Sequence, residues 1–255
     1  MEHSGKARVR YYKTYADDFT RSRDQSCRIP SDYRWIRKES ILSDGLYAAL
    51  GWAGRLYCRA VLHVKIENPA LLRAGSNGGG FLYGNHTQTL GDVFLPAWVC
   101  HPRRIYTLAS PANLGIPVLG SLLPYLGALP VPDTVAGMRD LWAAIQRRLE
   151  EDAWVVIYPE AHVWDYCTEI RPFSAASFKF PAKLGAPVYV MTTTYQKRRR
   201  GKKPGITVYL DGPFHGDDTL PLKKRAEELR QWVYACMTQR SMASTYAYIT
   251  YEKRT

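Results

Sequence analysis

The sequence predicts an α/β fold: a single domain with a central mixed sheet flanked by helices, preceded by an N-terminal amphipathic helical segment. Three observations lead there. Apolar runs of strand length alternate with segments of helical periodicity, the order expected of a sheet covered by helices. The 255 residues suffice for one large domain with a substantial core. Apolar residues make up 46% of the chain and charged residues 23%, an ordinary globular balance that argues against wholesale disorder.

Taken in order, residues 1–40 are polar, rich in Arg and Tyr and weakly patterned, and read as a surface arm or partly ordered extension. Residues 41–70 open with ILSDGLYAALGWAGRLYCRAVLHV, where Leu42, Leu46, Leu50, Ala53, Leu56, Ala60 and Val64 recur every three or four positions. That spacing predicts a helix. Asp44, Arg55, Arg59 and His63 interrupt it, too much charge for a membrane span of about 20 apolar residues. Two readings fit: an amphipathic helix at a membrane interface, or a helix packed on the protein's own core.

Residues 71–255 form the main domain. Strands are expected at 81–85, 104–108, 153–159, 187–195 and 205–212, and helices at 134–151, 173–185 and 217–240. Residues 105–132 carry no charged side chain and are punctuated by Pro111, Pro117, Pro124 and Pro130. This predicts a broken apolar segment, packed internally or lining an apolar groove. Sheets of this kind carry their sites at strand ends, in the loops leading to the next helix, where His86 and Glu160 both fall.

The formal net charge of +12 implies an anionic partner: nucleic acid, an acidic carrier protein or an anionic membrane surface. The five cysteines form no CxxC pair, which argues against a disulfide framework or zinc knuckle and fits a reducing compartment. The N-terminal MEHSGKARVRYYK lacks the apolar core of a secretory signal.

Several motifs carry no chemistry. GSNGGG at 75–80 precedes a strand instead of joining a strand to a helix, so it reads as a turn and not a phosphate loop. No GxSxG nucleophile elbow is present. His162, Asp165 and Cys167 do not match a metal spacing. KRRRGKK at 197–203 reads as a solvated basic hairpin tip, able to meet lipid headgroups as well as nucleic acid.

The stretch GFLYGNHTQTLGDVFLP, 80–96, is different. Six positions along one helix amount to about 600° of rotation, so His86 and Asp92 cannot pair on a straight helix. They can pair if His86 ends a strand, residues 87–91 turn, and Asp92 opens a helix. The plain alternative is that Asp92 caps the helix and His86 is incidental.

Downstream, WVVIYPEAHVWDYCTEIRPFSAASFKFPAKLGAPVYVM, 154–191, runs strand, Pro159-Glu160, helix, Gly-Ala-Pro, strand. With it, the chain resembles the lysophospholipid acyltransferase superfamily, typified by 1-acylglycerol-3-phosphate acyltransferases. Four blocks stand in the family's order: NHTQTLGD (85–92), GALPVPD (127–133), YPEAHVW (158–164) and APVYVM (186–191). Departures are visible. Five residues separate His86 from Asp92 where the family has four. Asp133 and Val163 stand at arginine positions that the family associates with the acceptor's phosphate, and Ala161 and His162 replace a Gly and a Thr.

The resemblance implies acyl transfer to a hydroxyl of a lysophospholipid such as 1-acylglycerol-3-phosphate, in phospholipid biosynthesis. His86 would be the base and Asp92 its orienting partner. Asn85, Glu160, His162 and Arg171 would contact substrate, and amides after His86 would serve the oxyanion. No cofactor or metal is implied; the co-substrate is acyl-CoA or acyl carrier protein. The partners are a membrane lipid acceptor and an anionic membrane surface at the cytoplasmic face, and no motif supports nucleic acid. The lost arginines leave open an aminolipid or glycolipid acceptor. The longer first block leaves open an inactive lipid-binding relative.

Overall fold

In a computed structural model, the described residues are 8–20, 27–30, 33–35, 41–74, 78–116, 119–199, 201 and 203–254. Parts of the polar arm, residues 75–77 of GSNGGG, residues 117 and 118 of the apolar segment, and Arg200 and Lys202 of the basic run lie outside them.

The elements run β1 (Arg8–Tyr12), α1 (Ile41–Ala60), β2 (Val64–Glu67), α2 (Leu71–Ala74), β3 (Gly80–Gly84), α3 (Gly91–Val99) and β4 (Ile105–Ala109). A 3₁₀ turn (Pro111–Gly115), α4 (Leu119–Leu122), β5 (Ala128–Pro130), α5 (Val135–Glu150), β6 (Trp154–Ile157) and α6 (Lys179–Leu184) follow. The chain ends in β7 (Val188–Gln196), β8 (Gly205–Phe214), α7 (Leu222–Ser241) and β9 (Ile249–Lys253).

Seven strands form one sheet in the order β2-β8-β7-β3-β6-β4-β5. The run from β7 to β5 is parallel; β8 reverses direction, and β2 follows β8. The sheet is therefore mixed, as expected. Alternation along each central strand divides the core in two. Phe81, Tyr83, Val155, Ile157, Val188 and Val190 face α5 and α7, meeting Leu141, Ile145, Leu229 and Val233. Leu82, Val156, Tyr189 and Met191 face the other way, meeting Cys58, Leu62, Leu95 and Val99 of the α1–α3 layer. A strand buried on both faces must be apolar at every position, which is why β3 and β6 read as continuous apolar runs.

The helix expected from residue 41 forms and packs antiparallel on α3. A Cβ at Gly54 would stand 2.3 Å from the Phe94 ring, so only glycine permits this approach. Among the described residues, no helix is long and apolar enough to cross a membrane. The outward side of α1 still exposes Trp52 (70%) and Leu56 (52%), so the helix meets the core on one side and solvent with apolar residues on the other.

Two sequence expectations need correction. The helix expected over 173–185 is shortened to α6: Pro181 has no N–H to offer the Ser177 carbonyl, which instead accepts from Tyr83 Oη at 3.0 Å. The arm contains β1, which pairs in parallel with β9 as a second, two-stranded sheet. The uncharged segment from 105 supplies β4, the 3₁₀ turn, α4 and β5, and so builds one edge of the main sheet.

Candidate active site

Strands β3 and β6 are parallel neighbours, with Tyr83 opposite Ile157. The segments that follow them, 85–90 and 158–171, therefore meet at one edge of the sheet. That register brings His86 and Glu160 together across 74 residues of sequence.

His86 Nδ1 lies 2.8 Å from Asp92 Oδ2. The same carboxylate oxygen accepts the backbone N–H of Thr87 at 2.8 Å and of Gln88 at 2.9 Å. The five-residue interval is thus absorbed in a turn wrapped around one oxygen. Asp92 lies within the first turn of α3 and does not cap it: Leu90 is the cap residue, and it makes no side-chain cap bond. The carboxylate sits where a helix N-terminus favours negative charge. Its side chain is 1% exposed, against 21% for His86. The amides of Thr87 and Gln88 point at Asp92, so neither serves an oxyanion, contrary to the expectation for this turn.

The turn is held from beneath. Tyr195 Oη lies 2.7 Å from Thr87 Oγ1 and accepts from Gln88 Nε2 at 3.0 Å. Burial raises the Tyr195 phenol well above its ordinary pKa, and the Asp92 charge adds to this, so it remains a neutral donor. Tyr158 stacks on the imidazole, with ring centroids 4.4 Å apart and planes 15° apart. Its hydroxyl donates to the Asp92 carbonyl at 2.6 Å. Burial first, then the Asp92 charge, raises this phenol as well.

The residues expected to contact substrate occupy distinct places. Glu160 has a fully buried side chain. Its Oε2 accepts the His86 N–H at 2.8 Å and Arg171 Nη2 at 2.9 Å, and its Oε1 accepts the Arg171 N–H at 2.7 Å. Arg171, also buried, donates further to the carbonyls of His86 and His162, and its guanidinium lies 4.8 Å from the Trp164 ring centroid. Asn85 is buried and exchanges both amide bonds with the Thr193 backbone of β7. His162 is more open, its side chain 34% exposed and its Nδ1 3.6 Å from Asp18 Oδ2. At the second block, Asp133 pairs with Arg28 at 3.3 Å on the surface. No three His, Cys, Asp or Glu side chains are grouped to hold a metal among the described residues.

Sequence reasoning passed over Trp164, Tyr158 and Tyr195. Trp164 lies among Tyr12, Phe19 and Tyr251, donates Nε1 to the Asp17 carbonyl, and offers its backbone N–H to the His86 carbonyl. The arm and the C-terminal strand thereby brace the loop that carries Glu160. The aromatic density of the arm was the available signal.

A family model described as Acyltransferase matches residues 63–194, which span both the His86 turn and the Glu160 loop. The chain belongs to the acyltransferase family. This acyltransferase also resembles a solved structure, the 1-acyl-sn-glycerophosphate acyltransferase PlsC from Thermotoga maritima. The TM-score is 0.56 at 13% identity, covering 81% of this chain and 83% of that one, a likeness of fold. No curated protein matches the acyltransferase. The fold and the family are those the four sequence blocks resemble.

Proposed function

We propose that the enzyme transfers a fatty acyl group from an acyl thioester, on coenzyme A or acyl carrier protein, to a hydroxyl of a lysophospholipid. 1-Acylglycerol-3-phosphate is the first acceptor to consider, by likeness to PlsC. The observation that carries the reading is the 2.8 Å contact between His86 Nδ1 and Asp92 Oδ2 at the edge of the sheet. In this reading the carboxylate accepts from Nδ1–H, and Nε2 keeps its lone pair.

Nε2 then removes the acceptor's hydroxyl proton as its oxygen attacks the thioester carbonyl. Collapse of the tetrahedral intermediate breaks the C–S bond, and the imidazolium returns the proton to the departing thiolate. Asp92 stabilises the imidazolium in between, the division of labour of a Ser-His-Asp triad with the serine replaced by the acceptor's own hydroxyl. Glu160 and Arg171 serve this step by fixing the His86 backbone. His162, half-exposed, is left as the substrate contact.

The acceptor is reached at a membrane surface, with the protein bound peripherally through the exposed side of α1 and the basic residues Lys197, Arg199 and Lys203. The cytoplasmic face follows from the thioester donors. A second reading, an acceptor without phosphate, is favoured by the burial of Arg171 against Glu160 and by Asp133 at the second block. The test is thioester consumption by purified protein with acyl-CoA and acyl-carrier donors against phosphate-bearing and phosphate-free acceptors, with His86→Ala alongside. Loss of turnover in the variant is expected; equal turnover would remove His86 as the base.

A further inference from the structure

We propose that Tyr158 is a positioning residue for His86, holding the imidazole and the Asp92 main chain in one geometry. The inference rests on the reading of His86 as the base and adds to it the side chain that fixes the ring's plane.

The bond to Cβ and the Asp92 contact at the adjacent Nδ1 hold the imidazole on one side only. A ring held on one side still tilts, and Nε2, on the far side, moves most. Tyr158 supplies the missing restraint. Its ring lies nearly parallel to the imidazole, 15° between planes at 4.4 Å between centroids, so rotation of His86 out of plane drives it into the phenol. An aromatic face also favours the imidazolium that forms during proton transfer. The Tyr158 hydroxyl donates to the Asp92 carbonyl at 2.6 Å, tying the other half of the pair to the same side chain. One residue thus touches both members of the dyad, through its face and through its tip.

Neighbouring residues make room for this arrangement. Tyr158 follows the last residue of β6, at the level of Gly84 on β3. A Cβ at Gly84 would stand 2.7 Å from Tyr158 Cε1 and 3.2 Å from Cδ1, so any side chain there would push the phenol away. The glycine before Asn85-His86 is therefore explained by the ring that crosses it. The Tyr158 ring meets His86 and its hydroxyl meets Asp92, so its effect runs through the dyad.

The test uses Tyr158→Phe, which keeps the face and loses the hydroxyl, and Tyr158→Leu, which loses both. Tyr158→Met fills the volume without a planar face and stands in should the leucine variant fail to fold. Steady-state kinetics on both substrates are paired with ¹⁵N-histidine NMR of the Nδ1–H proton in the Asp92 bond. In Tyr158→Leu, kcat is expected to fall about tenfold to a hundredfold, the scale of a misplaced catalytic group, with acceptor KM within about twofold. The Nδ1–H signal is expected to broaden through exchange with solvent. Tyr158→Phe should recover most of kcat and the signal. Wild-type kcat in the leucine and methionine variants would overturn the proposal, as would a fall in kcat with the Nδ1–H signal intact. His86→Ala in the same assay separates the two levels. An active His86→Ala removes the base itself, whereas an inactive His86→Ala beside fully active Tyr158 variants removes only the positioning role.

Discussion

Glu160 Oε2 accepts the backbone N–H of His86 at 2.8 Å, although they stand 74 positions apart in sequence. The carboxylate thus acts on the main chain of the proposed base. Its counter-charge, Arg171, is equally buried and donates to the His86 carbonyl as well. Both polar groups of His86's backbone are engaged by one buried ion pair.

Glu160→Ala is accordingly expected to destabilise the fold by about 3–5 kcal/mol, since it leaves the Arg171 charge buried without its partner. Glu160→Gln should cost less, because one amide oxygen can still accept the His86 N–H. Urea unfolding measures both. A fully stable Glu160→Ala with a raised acceptor KM would instead return Glu160 to the role of substrate contact.

Asp92→Asn separates orientation from packing. A carboxamide oxygen still accepts from the amides of Thr87 and Gln88, so the turn should survive. What is lost is the negative charge beside an imidazolium. We expect kcat to fall by about 10²- to 10⁴-fold with little change in KM. A fall confined to KM would show that Asp92 shapes the substrate site and leaves the base untouched.

The His86–Asp92 pair was legible because both ends lie in one short segment, where angular geometry allows only a turn-bridged contact. The central strands were legible because burial on both faces forces continuous apolar runs, as in FLYG and WVVI. The β1 and β9 strands, RVRYY and ITYEK, carry charged residues and, among the described residues, pair with each other apart from the main sheet, so neither has a continuous apolar run. The place of Glu160 was illegible for another reason. Its neighbour is set by the register of β3 against β6, and no local pattern separates a carboxylate that meets substrate from one that meets a backbone amide.

The arm yields a third prediction. Trp164 is 1% exposed, enclosed by Tyr12 and Phe19 of the arm and Tyr251 of β9. Trp164→Ala should cost about 3–5 kcal/mol by leaving a cavity between arm and loop. Removal of residues 1–20 uncovers the same indole and should lower Tm and turnover together. Arg10→Ala, which removes the half-exposed pair with Asp165 and the contacts of the guanidinium with the Tyr251 hydroxyl and the Phe19 ring but leaves the indole enclosed, should cost less than Trp164→Ala. A truncated protein with full turnover would show that the Glu160 loop holds its place without the arm.

The last prediction concerns how the enzyme reaches a lipid acceptor. Strand β2 begins opposite Ile206, at the end of β8 next to the hairpin, so the C-terminal end of α1 lies at the same sheet edge as His86. Leu56 and Val61 of that end are exposed, as are Leu90 and Val93 at the start of α3. The hairpin beyond β7 adds exposed Lys197, Arg199 and Lys203 at this edge. Apolar and basic groups should contribute differently. Burying Trp52 and Leu56 in the interface is worth about 1.5–3 kcal/mol each, whatever the lipid charge. The cations act through a potential that salt screens within about 10 Å at 0.1 M. Trp52→Ala with Leu56→Ser should therefore weaken binding to neutral and anionic vesicles alike, by tenfold or more on the order of those energies. Lys197→Gln with Arg199→Gln should weaken binding only to anionic vesicles at low salt. Vesicle co-sedimentation across salt concentrations measures both. If the α1 variants left binding unchanged and altered the oligomeric state in solution instead, the exposed strip would be a contact between copies of the chain.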